Sequence, residues 1–216
     1  MIVAIDGPSA SGKSTMGRML ARHLNLPLVD SGLMYRAITR VAAERGIDPH
    51  DAEALTQLAN STEVKIDGER VWVDGVELTD RIYDADYSEA LPLVAAVPGV
   101  REALVEQQRR MGDRGVVMAG RDIGTVVFPD ANYKLFLVAS LDEKVRRRAA
   151  QFEKRGERVD QEAMRREVEE RDRVDTQRSV APLRPAPDAV VIDTDRLDID
   201  QVVDKILQSV REHSRE

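Results

Sequence analysis

A short apolar run, Ile2-Val3-Ala4-Ile5-Asp6, leads into Gly7-Pro8-Ser9-Ala10-Ser11-Gly12-Lys13-Ser14-Thr15. Met16, Met19, Leu20 and Leu24 follow at the i, i+3/i+4 spacing of a helix packed on a sheet. The loop satisfies G-x-x-x-x-G-K-[ST] and has the context that pattern requires, a strand before it and a helix after. Each residue type has a physical reason. Gly7 and Gly12 allow backbone angles closed to other residues, so amide N–H groups can approach phosphate oxygens. The helix that follows turns its positive end to the same anion. Lys13 can reach the β- and γ-phosphates, and the Ser14 hydroxyl is a hard oxygen suited to Mg2+. The chain is expected to bind a nucleoside triphosphate with Mg2+ through residues 7–15.

The rest of the chain reads as an α/β protein. Leu26–Val29, Val116–Ala119, Tyr133–Val138 and Ala189–Ile192 are further strand candidates, giving five with Ile2–Asp6. Helical spacing over Met34–Arg45, Val100–Met111, Asp142–Lys154, Gln161–Val174 and Ile199–Val210 alternates with them. That alternation predicts a five-stranded parallel sheet covered by helices on both faces. Between about Thr62 and Leu78 the period changes to two, with Asp67-Gly68 and Asp74-Gly75 as hairpin turns, so a small antiparallel appendage is expected there. The expected division is a core of residues 1–36, 97–144 and 180–216, an insert at 37–96, and a charged segment at 145–179. Both insertions are placed over the carboxyl edge of the sheet, where α/β proteins bind ligands.

Composition narrows the function classes. The 216 residues carry 32 basic and 39 acidic side chains, a net charge of −7, which argues against a general nucleic-acid binder. Zero cysteines exclude disulfides and thiolate metal sites, and three scattered histidines do not suggest a metal cluster. No apolar run approaches the ~20 residues of a membrane span. The opening residues lack a signal-peptide pattern, so a cytoplasmic protein without membrane partners is expected. From Lys144 to Arg184, however, 13 basic residues face 9 acidic ones, which points to a local anion site.

A triphosphate can serve a switch, a motor or a kinase. There is no Asn-Lys-x-Asp stretch to read guanine, and 216 residues hold no larger assembly to drive. A kinase acting on a phosphate acceptor needs arginines more than a catalytic base, because a phosphate monoester is already anionic near neutral pH. Candidates stand in Asp30-Ser31-Gly32-Leu33-Met34-Tyr35-Arg36 and in Gly120-Arg121-Asp122 at the end of a strand. Arg171, Asp175 and Arg178 fall on one helix face. Asp6 and Asp30, at strand ends, could orient a metal-bound water or serve as caps and turns. Trp72 reads as packing rather than base stacking.

At these residues the sequence resembles the bacterial cytidylate kinases of the nucleoside monophosphate kinase superfamily. Residues 7–15 match that family's phosphate loop, and Asp30-Ser31-Gly32 with Tyr35-Arg36 resembles its monophosphate-site signature. The most specific stretch is Gly120-Arg121-Asp122-Ile123-Gly124-Thr125-Val126-Val127-Phe128-Pro129-Asp130-Ala131, followed by Glu170-Arg171-Asp172, Asp175, Arg178 and Ala181-Pro182-Leu183. The resemblance implies ATP as donor with Mg2+, CMP or dCMP as acceptor, and a monomer. It assigns Arg36, Arg121 and Arg178 (with Ser31) to the acceptor phosphate, Arg101 and Asp122 to cytosine, and Arg171 with Asp175 to the ribose. Lys13, Arg121 and Arg178 carry the transfer, under a lid whose arginines include Arg146, Arg147, Arg148, Arg155 and Arg158. Of these Arg148 and Arg155 are the two expected at the triphosphate. A carboxylate at Asp122 suits the cytosine amine and repels the uracil carbonyl. The chain departs from the family at Pro92, where a serine is usual and a hydroxyl is lost, with Ser88 the nearest replacement. Alternatives are a kinase for UMP or another monophosphate, or a nucleotide switch without catalysis.

Overall fold

The computed structural model describes residues 1–83, 89–153, 156 and 159–195, with 200, 201, 203, 204 and 206–208. Strand β1 (Ile2–Asp6) passes through the glycine-rich loop into helix α1 (Lys13–Leu24), and β2 (Leu28–Asp30) runs straight into α2 (Ser31–Glu44). Then come α3 (Ala52–Ser61), the antiparallel strands β3 (Val64–Asp67), β4 (Arg70–Val73) and β5 (Val76–Glu77), and α4 (Leu91–Ala96). The chain returns through α5 (Pro98–Met111) to β6 (Val116–Gly120) and a π-helical turn at Ile123–Val127. Strand β7 (Tyr133–Val138), α6 (Leu141–Glu153), α7 (Gln161–Gln177) and β8 (Val190–Asp193) complete the set, and the described residues within 200–208 are helical.

The large sheet has the order β2-β6-β1-β7-β8, and all four of its pairings are parallel. Its central strands β1 and β6 are apolar up to their ends because both faces are covered, whereas the edge strand β8 leaves Val190 and Val191 exposed. Alternate residues prove the point. Val3 and Ile5 pack with Met16 and Leu20 of α1 and with Val203, Ile206 and Leu207, while Ala4 and Met118 face Val105 and the π turn. Burying each such aliphatic side chain contributes about 1.5–3 kcal/mol. The expectation of five parallel strands between helical layers therefore holds.

A separate apolar cluster joins α2, α3, β3, β4, α4 and α5 around Met34, Ile38, Leu55, Ile82 and Leu104. The three-stranded sheet is where the period-two pattern puts it. Helices α3 and α4 have no counterpart in the sequence reading. The six-residue α4 is too short for a helical period to show, and Pro92 sits in its first turn, where a missing N–H costs nothing. Helix α2 starts three residues earlier than its spacing suggests, because the Asp30 carboxylate caps it by accepting from the Gly32 N–H at 3.0 Å.

Register positions the site. Asp6 pairs with Gly120 and Asp30 with Ala119, so the ends of β1, β6 and β2 come level at one sheet edge. With parallel strands ~4.8 Å apart, the phosphate loop, Arg121 and Ser31 are forced into proximity.

Candidate active site

The glycine-rich loop wraps back on itself from β1 to α1. Gly7 has φ +151° and a side chain there would collide with the Leu137 carbonyl, so only glycine fits. Ala10 at φ 57° and Gly12 at φ 94° turn the chain so that α1 begins at Lys13. Lys13 is buried and its ammonium donates to the Pro8 carbonyl at 2.5 Å and to Ser11 Oγ at 3.5 Å. Burial, then the nearby Arg121 cation, holds its pKa well below the usual lysine range. Ser14 Oγ donates to Asp30 Oδ2 at 2.8 Å, so a hydroxyl and a carboxylate stand together beside the loop.

A cleft of about 670 Å3 opens over this loop, lined by Ser9, Gly12, Lys13, Ser14 and Thr15 on one side and by Arg36, Arg121 and Arg171 on the other. The guanidinium of Arg36 lies 5.1 Å from the centre of the Tyr83 ring, which also lines the cleft. Helix α6 supplies the roof with Arg146, Arg147 and Arg148. Arg148 stacks 4.9 Å from the Phe152 ring and stands 3.5 Å from the Glu167 carboxylate. Arg147 does something the sequence did not foretell. Its guanidinium donates to Ala10 O at 3.4 Å and to Thr194 Oγ1 and O at 3.0 and 2.9 Å, bracing the loop from behind. Arg155 and Arg158 lie outside the described residues, as does Ser88.

Behind the cleft lies a second, tighter pocket of about 60 Å3. It shares Gly32, Arg121 and Arg171 with the first and is otherwise lined by Ser31, Tyr35, Pro92, Arg101, Asp122, Asp175 and Arg178, among others. Four of its arginine and aspartate pairings link these charges to one another. Arg101, 3% exposed, forms an ion pair with Asp122, also 3% exposed, and donates to the Ala95 carbonyl at 2.9 Å. The Tyr35 ring lies 5.1 Å below the same guanidinium. Arg121 Nε donates to Asp175 Oδ2 at 2.7 Å. Arg178 lies 3.9 Å from Asp122 and 3.7 Å from Asp175, and its Nε donates to the Ala181 carbonyl at 2.6 Å. Burial alone would raise the Asp175 carboxyl, but Arg121, Arg171 and Arg178 outweigh it and hold its pKa low. Burial, with Arg121 beside it, presses Arg171 down to about 10. Two buried nitrogens in this pocket, Arg101 Nε and Arg178 Nη2, make no hydrogen bond. Buried donors without partners are rare in folded proteins and mark a place for a polar ligand.

Every described residue of the sequence-based site is thus brought to one edge of the sheet. Gly7, Pro8 and Ser11 shape the loop or take up Lys13 rather than line the cleft. Asp30 is a cap that also meets Ser14. Leu91, Ala95 and Val174, which complete the second pocket, carry no chemical signal in the sequence beyond being apolar.

A two-pocket cleft of this kind can be placed among known proteins. The family model described as cytidylate kinase matches residues 3–212. A cytidylate kinase of Pelotomaculum thermopropionicum is 47% identical over 99% of this chain and 97% of its own length. A bifunctional pantoate ligase/cytidylate kinase of a Synechococcus species is 48% identical over 98% of this chain, which spans 40% of that longer protein. Among solved structures, an uncharacterized protein from Eubacterium ventriosum aligns over 98% of both chains with a TM-score of 0.52 at 15% identity, a likeness of fold alone. With a family model covering nearly the whole sequence and near-half identity to full-length relatives, this chain belongs to the cytidylate kinase family.

Proposed function

We propose that the chain transfers the γ-phosphate of ATP to the phosphate of CMP or dCMP, releasing ADP and CDP or dCDP. The observation that carries this reading is the buried Arg101–Asp122 pair beside Arg121 and Arg178, in a pocket that opens through shared residues onto the phosphate loop. A switch has no use for a second pocket of this composition.

In this reading the labour divides as follows. The loop amides and Lys13 grip the β- and γ-phosphates. Ser14 and Asp30 would hold Mg2+ through their hard oxygens, directly or through a water. When bound, that ion neutralises charge on the triphosphate. Arg36, Arg121 and Arg178, with Ser31, gather the acceptor phosphate and the transferring group. An acceptor phosphate oxygen forms the new bond to the γ-phosphorus as the bond to the β–γ bridging oxygen breaks, and ADP leaves with that electron pair. The arginines need only align and neutralise, because the acceptor is already an anion. Arg148 closes over the donor from α6.

Base choice belongs to Asp122 and Arg101. The carboxylate accepts from the cytosine amine and the guanidinium donates to the ring acceptors. Uracil would turn a carbonyl towards Asp122 and leave both oxygens unpaired in a buried site, a strong form of rejection. On the same reading Asp175 and Arg171 meet the ribose, and the core, the insert (37–96) and the lid segment (145–179) would each give a substrate its wall. The test is ADP formation from ATP and Mg2+ with CMP, dCMP, UMP, AMP or no acceptor. Rapid turnover with CMP and dCMP alone is expected, and ADP formation indifferent to any acceptor would overturn the proposal.

A further inference from the structure

Asp6 has a part that neither the loop nor the acceptor pocket accounts for. It is the last residue of β1, 3% exposed, and forms no ion pair among the described residues. Its backbone is paired in the sheet with Gly120, the residue before Arg121. Its two carboxylate oxygens accept from the N–H groups of Ile123 at 2.8 Å and Gly124 at 2.7 Å, the residues after Asp122. Those amides open the π turn and so have no partner within it.

One residue therefore holds both ends of the Arg121–Asp122 dipeptide. The same residue is bonded to Gly7, where the phosphate loop begins. We propose that Asp6 is a positioning residue for phosphoryl transfer, fixing the acceptor-binding Arg121 and Asp122 at a set offset from the phosphate loop. The inference rests on the kinase reading above.

The charged groups that face the carboxylate are Lys13 from α1 and Asp122 from the turn itself. Neither forms an ion pair with it, so the two amides are its main support. Burial pushes this carboxyl up to about 6, despite those amides. An ionised group there costs stability at neutral pH, which a merely structural cap would have no reason to carry. What the charge provides is two acceptor oxygens in one rigid fork. A protonated acid or a neutral amide can serve only one N–H without turning a donor on the other.

The test compares wild type with Asp6→Asn, using circular dichroism to show that both are folded. The expected result is a loss of kcat/KM for CMP on the order of 10- to 100-fold, since displacement of an aligned group by about 1 Å is felt that strongly. KM for ATP should stay within about twofold, and so should the slow hydrolysis of ATP without CMP. A structural role alone would lower the melting temperature and leave kcat/KM per folded molecule unchanged, and that result would overturn the proposal.

A second measurement needs neither activity nor a variant. Amide hydrogen exchange of wild type should protect Ile123 and Gly124 as strongly as the β6 amides. Exchange at loop rates would also overturn it. If wild type makes no ADP with CMP while these amides are protected, the kinase reading fails, and with it any positioning of a transfer.

Discussion

The two halves of the site differ in how they stand ready. The cleft over the phosphate loop is about 670 Å3, within the ~300–1,000 Å3 of ligand pockets. The acceptor pocket behind it is about 60 Å3, room for a few waters and far less than a nucleotide needs. The donor side is held open by backbone geometry and braced by Arg147. The acceptor side is held shut by its own charges, with Arg101 on Asp122 and Arg121 on Asp175. Separating such a pair without replacement costs about 3–5 kcal/mol. A ligand can open the pocket only by supplying both halves, a phosphate for the arginines and a donor for each carboxylate. CMP offers phosphate, ribose hydroxyls and an amine. On the proposed function, selectivity on this side would be an exchange of partners, and on the donor side a fit to a preformed cradle.

The largest effect that would sharpen this contrast is on the donor side. Lys13→Ala removes the buried cation at the triphosphate and should lower kcat/KM on the order of 10²- to 10³-fold in steady-state assays, with CMP affinity little changed. Full activity would break the account of the cradle. A smaller effect tests the bracing from behind. Arg147→Met removes the hydrogen bonds to Ala10 and Thr194, and should raise KM for ATP roughly tenfold while KM for CMP stays put. An equal rise in both constants would mean that the two sides are not separable in this way.

The smallest effect concerns stability. The Asp6 carboxyl is raised in the folded chain from 3.8 to about 6, burial being the main cause. The folded state then binds a proton more readily than the unfolded one, so this group's penalty at neutral pH is relieved as pH falls through about 6. Between pH 7.5 and 5, wild type should gain about 1 kcal/mol over Asp6→Asn in urea unfolding. A difference that is flat or moves the other way would contradict the buried charge.

How much of this was legible depends on how local the signal is. The phosphate loop is contiguous, so sequence alone gives its strand, turn and helix. The parallel sheet follows from short apolar strands alternating with helices. Arg121 and Asp122 stand at a strand's end, where a charged pair has no packing purpose, and resemblance then supplied the pairing with Arg101. Arg147 was not singled out from Arg146 and Arg148, because neighbours in a run differ only by 100° of helix phase, which the packing of α6 decides. In the structure Arg146 points outward at 69% side-chain exposure while Arg147 is held at 21%. The tie from Asp6 to Ile123 spans 117 residues and rests on strand register, which no local pattern encodes. Pro92, read from the resemblance as a lost hydroxyl, lies in the first turn of α4 and lines the second pocket.

The central claim is that Asp122, paired with Arg101, chooses the base. The direct measurement is the ratio of kcat/KM for CMP over UMP in wild type and in Asp122→Asn, each ratio being its own control for fold and for transfer. The account predicts a wild-type ratio on the order of 10² or more, collapsing towards unity in the variant as the new amide offers uracil a donor. Comparable rates with CMP and UMP in wild type, or a ratio untouched by the substitution, would contradict it.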